Sequence, residues 1–239
     1  MRLNKAIASS GFCSRRGADA LISEGRVTIN GKLAELGTQV EPSDQISVDG
    51  KPITESKPPI YLAFNKPIGI ECTTNLSVRK NIVSYINYPE RIFPVGRLDK
   101  PSEGLIIMTN DGDIVNKILR ARNNHEKEYV VVVDKFITEE FLDQMRNGIP
   151  ILDTITRKCE VEQIDGKCFR IILTQGLNRQ IRRMCEYCGY EVRKLKRIRI
   201  MNIKLNDLPK GQYRHLSDTE FSELTRLTSS SDGSENASL

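Results

Sequence analysis

The 239-residue sequence predicts an α+β fold in two unequal domains, and three features carry that expectation. Strand-like and helix-like segments follow one another without the strict βαβ order of a doubly wound sheet. The hydrophobic period changes from helical to alternating within the first fifty residues. Residues 54–60, Thr-Glu-Ser-Lys-Pro-Pro-Ile, hold two prolines and no periodic apolar positions, as a linker would. The expected boundaries are a domain over 1–53, a linker over 54–60, a larger domain over 61–227 and a disordered tail over 228–239, which has almost nothing to bury.

In the first domain Leu3, Ala6 and Ile7 give one helical stripe, which Gly11 interrupts. Ser14 is placed to N-cap a second helix, where Ala18, Leu21 and Ile22 recur at helical spacing until Gly25 supplies a left-handed C′ position. Val27 and Ile29 then alternate with polar residues up to Asn30-Gly31, whose backbone tolerates the positive φ of a tight hairpin turn. Asp49-Gly50 repeats the device.

The second domain opens on a strand within residues 60–70. Another, over 104–110, is stopped by Asp111-Gly112, and Asp113 is expected to cap a helix carrying Ile114, Val115, Ile118 and Leu119 on one side. Residues 127–133, Lys-Glu-Tyr followed by four valines, are strongly β-branched, 137–148 form an amphipathic helix closed by Gly148, and 168–176 read as a further strand. Between Asn178 as cap and Gly189 as terminator, Ile181, Met184, Cys185 and Cys188 line the buried stripe of a helix whose other side shows Arg179, Arg182 and Arg183.

The 38% hydrophobic content is that of a globular protein, and no apolar run approaches the roughly 20 residues that span a bilayer. The first residues lack the apolar core of a signal peptide, so a cytoplasmic protein with six reduced thiols is expected. The net charge of +5 is concentrated. From Met1 to Lys32 six Lys/Arg face Asp19 and Glu24, and from Arg179 to Arg199 eight face Glu186 and Glu191. Each cluster is either a solvated face or a surface that meets a polyanion.

Cys185 and Cys188 invite a zinc or redox reading, but both fall on the buried stripe, no second C-x-x-C exists, and the histidines are His125 and His215 alone; no metal is expected. The chain has no phosphate-binding glycine motif, so no nucleotide cofactor is expected. Ser102 sits in Lys-Pro-Ser-Glu-Gly, which is not a nucleophile elbow, and His125, beside Glu126 and Lys127, reads as a surface residue.

Asp99 remains. It is either a turn or capping residue, or a functional carboxylate held by an arginine from the basic helix. Tyr129, on the same strand parity as Val131 and Val133, is either an ordinary strand aromatic or a flat face for a nucleobase.

The Gly96-Arg97-Leu98-Asp99 segment with the following 104–112, the Asn65–Gly69 segment, Lys127-Glu128-Tyr129 and the long stretch 175–200 together resemble the pseudouridine synthase family whose ribosomal members carry the letters A, B, E and F. Residues 2–32 resemble an S4 RNA-binding domain. The resemblance implies a small S4-like domain ahead of a catalytic domain built on a mixed, mainly antiparallel sheet with flanking helices. It makes Asp99 the essential aspartate, Tyr129 the active-site tyrosine, Arg182 the basic partner of the aspartate and Leu195 the leucine under the target base. Leu195 shares strand parity with Arg197 and Arg199, opposite Ile198 and Ile200. Candidate RNA ligands are Lys5, Arg15, Arg16, Arg97, Arg179, Arg183, Arg193, Lys194, Lys196 and Arg197.

The implied reaction turns uridine into pseudouridine, an isomerisation that needs no cofactor or metal. The implied partner is structured RNA, foremost ribosomal RNA of the large subunit, with small-subunit ribosomal RNA or a transfer-RNA stem-loop as alternatives; no membrane and no obligate protein partner are implied. Whether Asp99 attacks C1′ or promotes loss of the C2′ proton stays open. The competing reading is a non-catalytic S4-type ribosome-binding or assembly factor in which Asp99 is structural.

Overall fold

The computed structural model describes residues 1–53, 58–120 and 123–231, so residues 54–57 of the expected linker lie outside it. The chain divides into two compact units. The smaller comprises Met1–Pro59 with Pro89–Arg91 and Asn110–Gly112, and the larger takes the rest from Ile60 onward.

In the small unit helices α1 (Leu3–Ser9) and α2 (Arg15–Ser23) precede four short strands, β1 (Val27–Ile29), β2 (Lys32–Leu33), β3 (Ile46–Val48) and β4 (Lys51–Pro52). The strands pair antiparallel in the order β2-β1-β3-β4. Both hairpin turns carry two successive positive φ values, 50° and 81° at Asn30-Gly31 and 51° and 73° at Asp49-Gly50. That geometry matches the right-handed twist of the strands. The Ser14 hydroxyl accepts from the Gly17 amide at 3.0 Å, and Gly25 follows α2 at φ 69°. Leu3, Ile7, Ala18, Ile22, Val27 and Val48 form the core.

The larger unit holds β5 (Tyr61–Lys66), α3 (Ile82–Ile86), β6 (Phe93–Val95), β7 (Glu103–Thr109), α4 (Gly112–Leu119), β8 (Lys127–Val133), α5 (Glu139–Asn147), β9 (Pro150–Ile151), β10 (Thr154–Ile155), β11 (Glu160–Asp165) and β12 (Cys168–Leu173). It continues through α6 (Gln180–Tyr187), β13 (Val192–Ile200), β14 (Ile203–Lys204), β15 (Tyr213–His215) and α7 (Asp218–Thr228). The main sheet runs β11-β12-β8-β13-β7-β5-β15, with β14 on β13 and β6 on β7. It is mixed and mainly antiparallel; β7 and β13 run parallel, Arg197 beside Gly104. A Cβ at Gly104, whose φ is 105°, would collide with the Arg197 backbone, so the close approach of these central strands requires glycine.

Each face of the sheet has its own core. On one side Phe64, Met108, Val131, Phe169 and Leu195 pack with Phe141 and Met145 of α5 and with Ile181, Met184 and Cys185 of α6. On the other, Leu105, Ile107 and Ile203 pack with Ile114 and Ile118 of α4 and Leu224 of α7. Each such large apolar side chain contributes about 1.5–3 kcal/mol by leaving water.

Four expectations are corrected. Helix α4 begins at Gly112, so Asp113 lies inside its first turn, where its charge faces the positive end of the helix dipole. Asn178 does not cap α6; Arg179 takes the N-cap position at φ 50°, and the Gln180 side chain reaches back to the Leu177 amide at 3.1 Å. A register shift in β13 leaves Ile198 between Arg197, opposite Tyr129, and Arg199, opposite Glu128. The bulge turns Arg199 away from the parity of Leu195 and Arg197, and its Nε donates to Glu128 at 2.6 Å. Thr228, finally, does not open the tail: it closes α7, buried, with its hydroxyl donating to the Leu224 carbonyl at 2.8 Å. Helix α7 is set by a capping box, Ser217 with Glu220. Residues 232–239 lie outside the described residues.

Candidate active site

A cavity of about 740 Å³ opens in the larger unit. It gathers side chains from the loop before β7 (Arg97, Asp99, Ser102), from β8 (Lys127, Tyr129), from the start of α6 (Arg179, Arg182) and from β13 (Leu195, Arg197). The four residues expected at the catalytic centre therefore share one cavity.

The loop that carries Asp99 is held by its backbone. Gly96 has φ 76°, the buried Leu98 donates its amide to the Cys72 sulfur at 3.4 Å, and the Ser102 amide closes a turn on the Asp99 carbonyl at 2.9 Å. The Asp99 carboxylate takes no part in that turn. It accepts no hydrogen bond among the described residues and stands 3.8 Å from Arg182 Nε, one-third exposed.

Arg182 is held from three directions. Nη1 donates to the Val192 carbonyl at 3.2 Å, Nη2 to the Ser102 hydroxyl at 3.1 Å, and Nε, buried, is left to the carboxylate. Burial pulls the guanidinium below its ordinary pKa, and the Asp99 charge opposes that pull. An ion pair screened from water in this way is stronger than a surface pair.

Tyr129 and Leu195 are both buried on the same face of the sheet, where Arg197 pairs with Tyr129 across β13 and β8. The Arg197 guanidinium carbon is 5.9 Å from the Tyr129 ring centroid. Arg97 and Arg179 are exposed at the mouth of the cavity. The other expected RNA ligands lie outside it. Arg183 donates to the Asn178 carbonyl at 3.1 Å, Arg193 pairs with Glu191 at 2.9 Å, and Lys194 and Lys196 sit along β13, exposed and half-buried. Lys5 is half-buried, and Arg15 and Arg16 are exposed in the first turn of α2.

Two buried lysines escaped the sequence reading. Lys66, fully buried at the end of β5, donates to the Pro67 and Ile70 carbonyls at 2.9 and 2.8 Å and so fixes the turn that leads to Cys72. Lys127 lines the cavity at 6% exposure, on the buried parity of β8 with Tyr129. A lysine on the apolar parity of a β-branched strand was the available signal, because lysine is almost never buried without a reason. Of the C-x-x-C pair, Cys185 is buried in the core and Cys188 half-buried at the end of α6.

Residues 60–187 match the RNA pseudouridylate synthase family, and residues 1–46 match the S4 domain. The chain is 54% identical over 233 residues to the dual-specificity RNA pseudouridine synthase RluF of Escherichia coli K12, covering 97% of this chain and 80% of that one. It is 37% identical to the ribosomal large subunit pseudouridine synthase B of Bacillus subtilis, covering 95% and 96%. A crystal structure of a pseudouridylate synthase superposes with a TM-score of 0.69 at 27% identity, covering 94% of this chain and 99% of the other. These likenesses are to enzymes, which removes the non-catalytic reading. An S4 domain followed by this cavity-bearing sheet places the chain in the RNA pseudouridylate synthase family, to which it belongs as an RNA pseudouridine synthase.

Proposed function

We propose that the enzyme isomerises uridine in ribosomal RNA of the large subunit, with Asp99 acting on the target ribose. The observation that carries the proposal is the Asp99 carboxylate itself, spared from capping its own turn and set 3.8 Å from the buried Arg182 Nε in a cavity with Tyr129 and Leu195. Extruding the target nucleotide costs a few kcal/mol, offset by contacts that hold it out of its stack. Arg97 and Arg179 take the flanking phosphates at the mouth, Tyr129 offers its ring and Leu195 an apolar contact to the base. Arg182 orients the carboxylate toward the sugar. Asp99 then attacks C1′ or takes the C2′ proton, the C1′–N1 bond breaks, the uracil turns and C5 joins C1′.

The S4 domain supplies a second RNA surface through Lys5, Arg15 and Arg16. The choice of the large subunit draws on the name of the Bacillus relative, and the dual specificity in the name of the Escherichia coli relative supports a second RNA substrate, for which a transfer-RNA stem-loop is the candidate. Among the described residues no helix is long and apolar enough to cross a membrane, and the proposed ribosomal RNA substrate supports a cytoplasmic site of action.

The test is Asp99→Asn, nearly isosteric but unable to serve as nucleophile or base. On RNA tritiated at uridine C5 it releases no label while binding RNA as the parent does. Release at the parent's rate would remove Asp99 from the reaction. Mapping pseudouridine in ribosomal and transfer RNA from cells with and without the gene assigns the substrate.

A further inference from the structure

Beneath the cavity lie cations that no described carboxylate balances. Arg197 is 3% exposed; its Nε donates to the Leu105 carbonyl at 2.7 Å, while its Nη2, shielded from solvent, has no hydrogen-bond partner among the described residues. Lys127, beside it, donates to the His125 carbonyl at 3.1 Å. Among the described residues no carboxylate comes within ion-pair distance of either, whereas Arg182 has Asp99 and Arg97 and Arg179 remain in water. A buried charge without a partner costs several kcal/mol, so a fold that keeps one there has an anion to meet it.

A phosphate is the first anion to consider, and the mouth of the cavity already offers exposed arginines where the RNA backbone passes. What reaches the floor, beside Tyr129, is the base. Uracil is neutral until the C1′–N1 bond breaks; the bonding pair then stays with N1, and the charge spreads onto O2 and O4. We infer that Arg197, with Lys127 beside it, stabilises this expelled uracil anion and holds it in the cavity while it turns from N1 to C5. The new C1′–C5 bond forms from the ring's π electrons, C5 gives up its proton and N1 takes one. The product is thus an isomer of the substrate and nothing else is consumed. The inference rests on the cavity being the site of chemistry.

The test uses the full chain in single-turnover reactions. Arg197→Gln keeps RNA affinity and its salt dependence, and slows tritium release by about 100-fold, the usual loss when one preorganised donor is taken from a developing charge. The target is then changed to 5-fluorouridine, whose fluorine withdraws electrons and lets the base leave as a more stable anion. Followed as loss of intact 5-fluorouridine from digested RNA, the deficit of the variant narrows to about tenfold or less, because less stabilisation is asked of the protein. An equal deficit on both bases overturns the inference. So does parent turnover with weaker binding and a shallower salt slope, the mark of a phosphate ligand. Should Arg197→Gln not fold, Arg197→Lys carries the same comparison, since its ammonium leaves a smaller deficit that must again narrow with fluorine. Asp99→Asn, run alongside, separates the two readings: if it is active, the cavity is not the site and the inference falls with it; if it is inactive while Arg197→Gln turns over normally, the inference alone falls.

Discussion

Arg97 and Arg179 stand in water at the mouth of the cavity, whereas Arg182 and Arg197 lie beneath it, half-buried and buried. The side chain is the same and the physics differs. At the mouth, water and salt screen the charge, and each phosphate contact adds a modest, nearly sequence-independent increment of affinity. Beneath, screening is lost, so each charge must be balanced by something specific, a carboxylate for Arg182 and hydrogen-bonded carbonyls for Lys66. Burial thus sorts one basic composition into groups that dock RNA and groups that act on what enters the cavity.

The strongest way to break that contrast is Arg182→Ala set against Arg193→Ala and Lys194→Ala. Arg182 holds the Asp99 carboxylate and bridges Val192 to Ser102, so its loss is expected to lower turnover at saturating RNA by ~10³-fold with little change in affinity. The exposed pair is expected to weaken binding a few-fold each and to leave turnover alone. Saturation kinetics decides: an Arg182→Ala enzyme limited by RNA binding alone would make it one more phosphate ligand.

The same contrast explains what can be read from the sequence. Local chemistry is legible: Asn30-Gly31 and Asp49-Gly50 dictate their turns, and Ser14 and Gly25 bound α2, because each signal lies within a few residues of its effect. The convergence of Asp99, Tyr129, Arg182 and Leu195 is legible through motif resemblance, since no local rule links residues so far apart in the chain. Burial is not. Arg197 and Lys196 look alike in sequence, and the bulge at Ile198 that takes Arg199 off the face of Arg197 and onto that of Lys196 depends on pairing with β8. Helix α7 has its own signal in Ser217-x-x-Glu220 followed by Phe221 and Leu224, which the reading of residues 61–227 as one domain leaves unassigned.

Lys127 sharpens the contrast with a smaller effect. Burial, helped by the neighbouring Arg197 charge, brings its pKa from the ordinary 10.5 down to about 8. The folded chain thus holds this proton less tightly than the unfolded one, so the lysine destabilises the fold below about pH 8, and the penalty fades as pH rises toward 10.5. That penalty is roughly 3 kcal/mol at pH 7, against about 1 kcal/mol lost with the hydrogen bond to His125. Lys127→Met is therefore expected to be about 2 kcal/mol more stable than the parent at pH 7, and about tenfold slower in turnover through the weakened field on the base. Urea denaturation at pH 7 and pH 10 checks it: a stability gain that does not shrink at the higher pH would show that the lysine is not buried as a charge.

The smallest effect belongs to the exposed end of the comparison. Arg15 and Arg16 occupy the first turn of α2, which carries no acidic residue, so two cations face the positive end of the helix dipole. Against the dipole such placement is unfavourable by about 0.3–1 kcal/mol each at low salt, and an approaching polyanion reverses the sign of that interaction. Arg15→Ala with Arg16→Ala, both exposed, is expected to shift stability by about 1 kcal/mol or less. Losing two phosphate contacts should weaken RNA binding by about fivefold to tenfold near physiological salt and flatten the plot of log affinity against log salt by about 1.4 to 1.8, with turnover at saturation untouched. Fluorescence titrations at several salt concentrations measure the slope. If it stays at the parent's value, these arginines touch no phosphate, and the RNA surface of the small unit must be sought on another face.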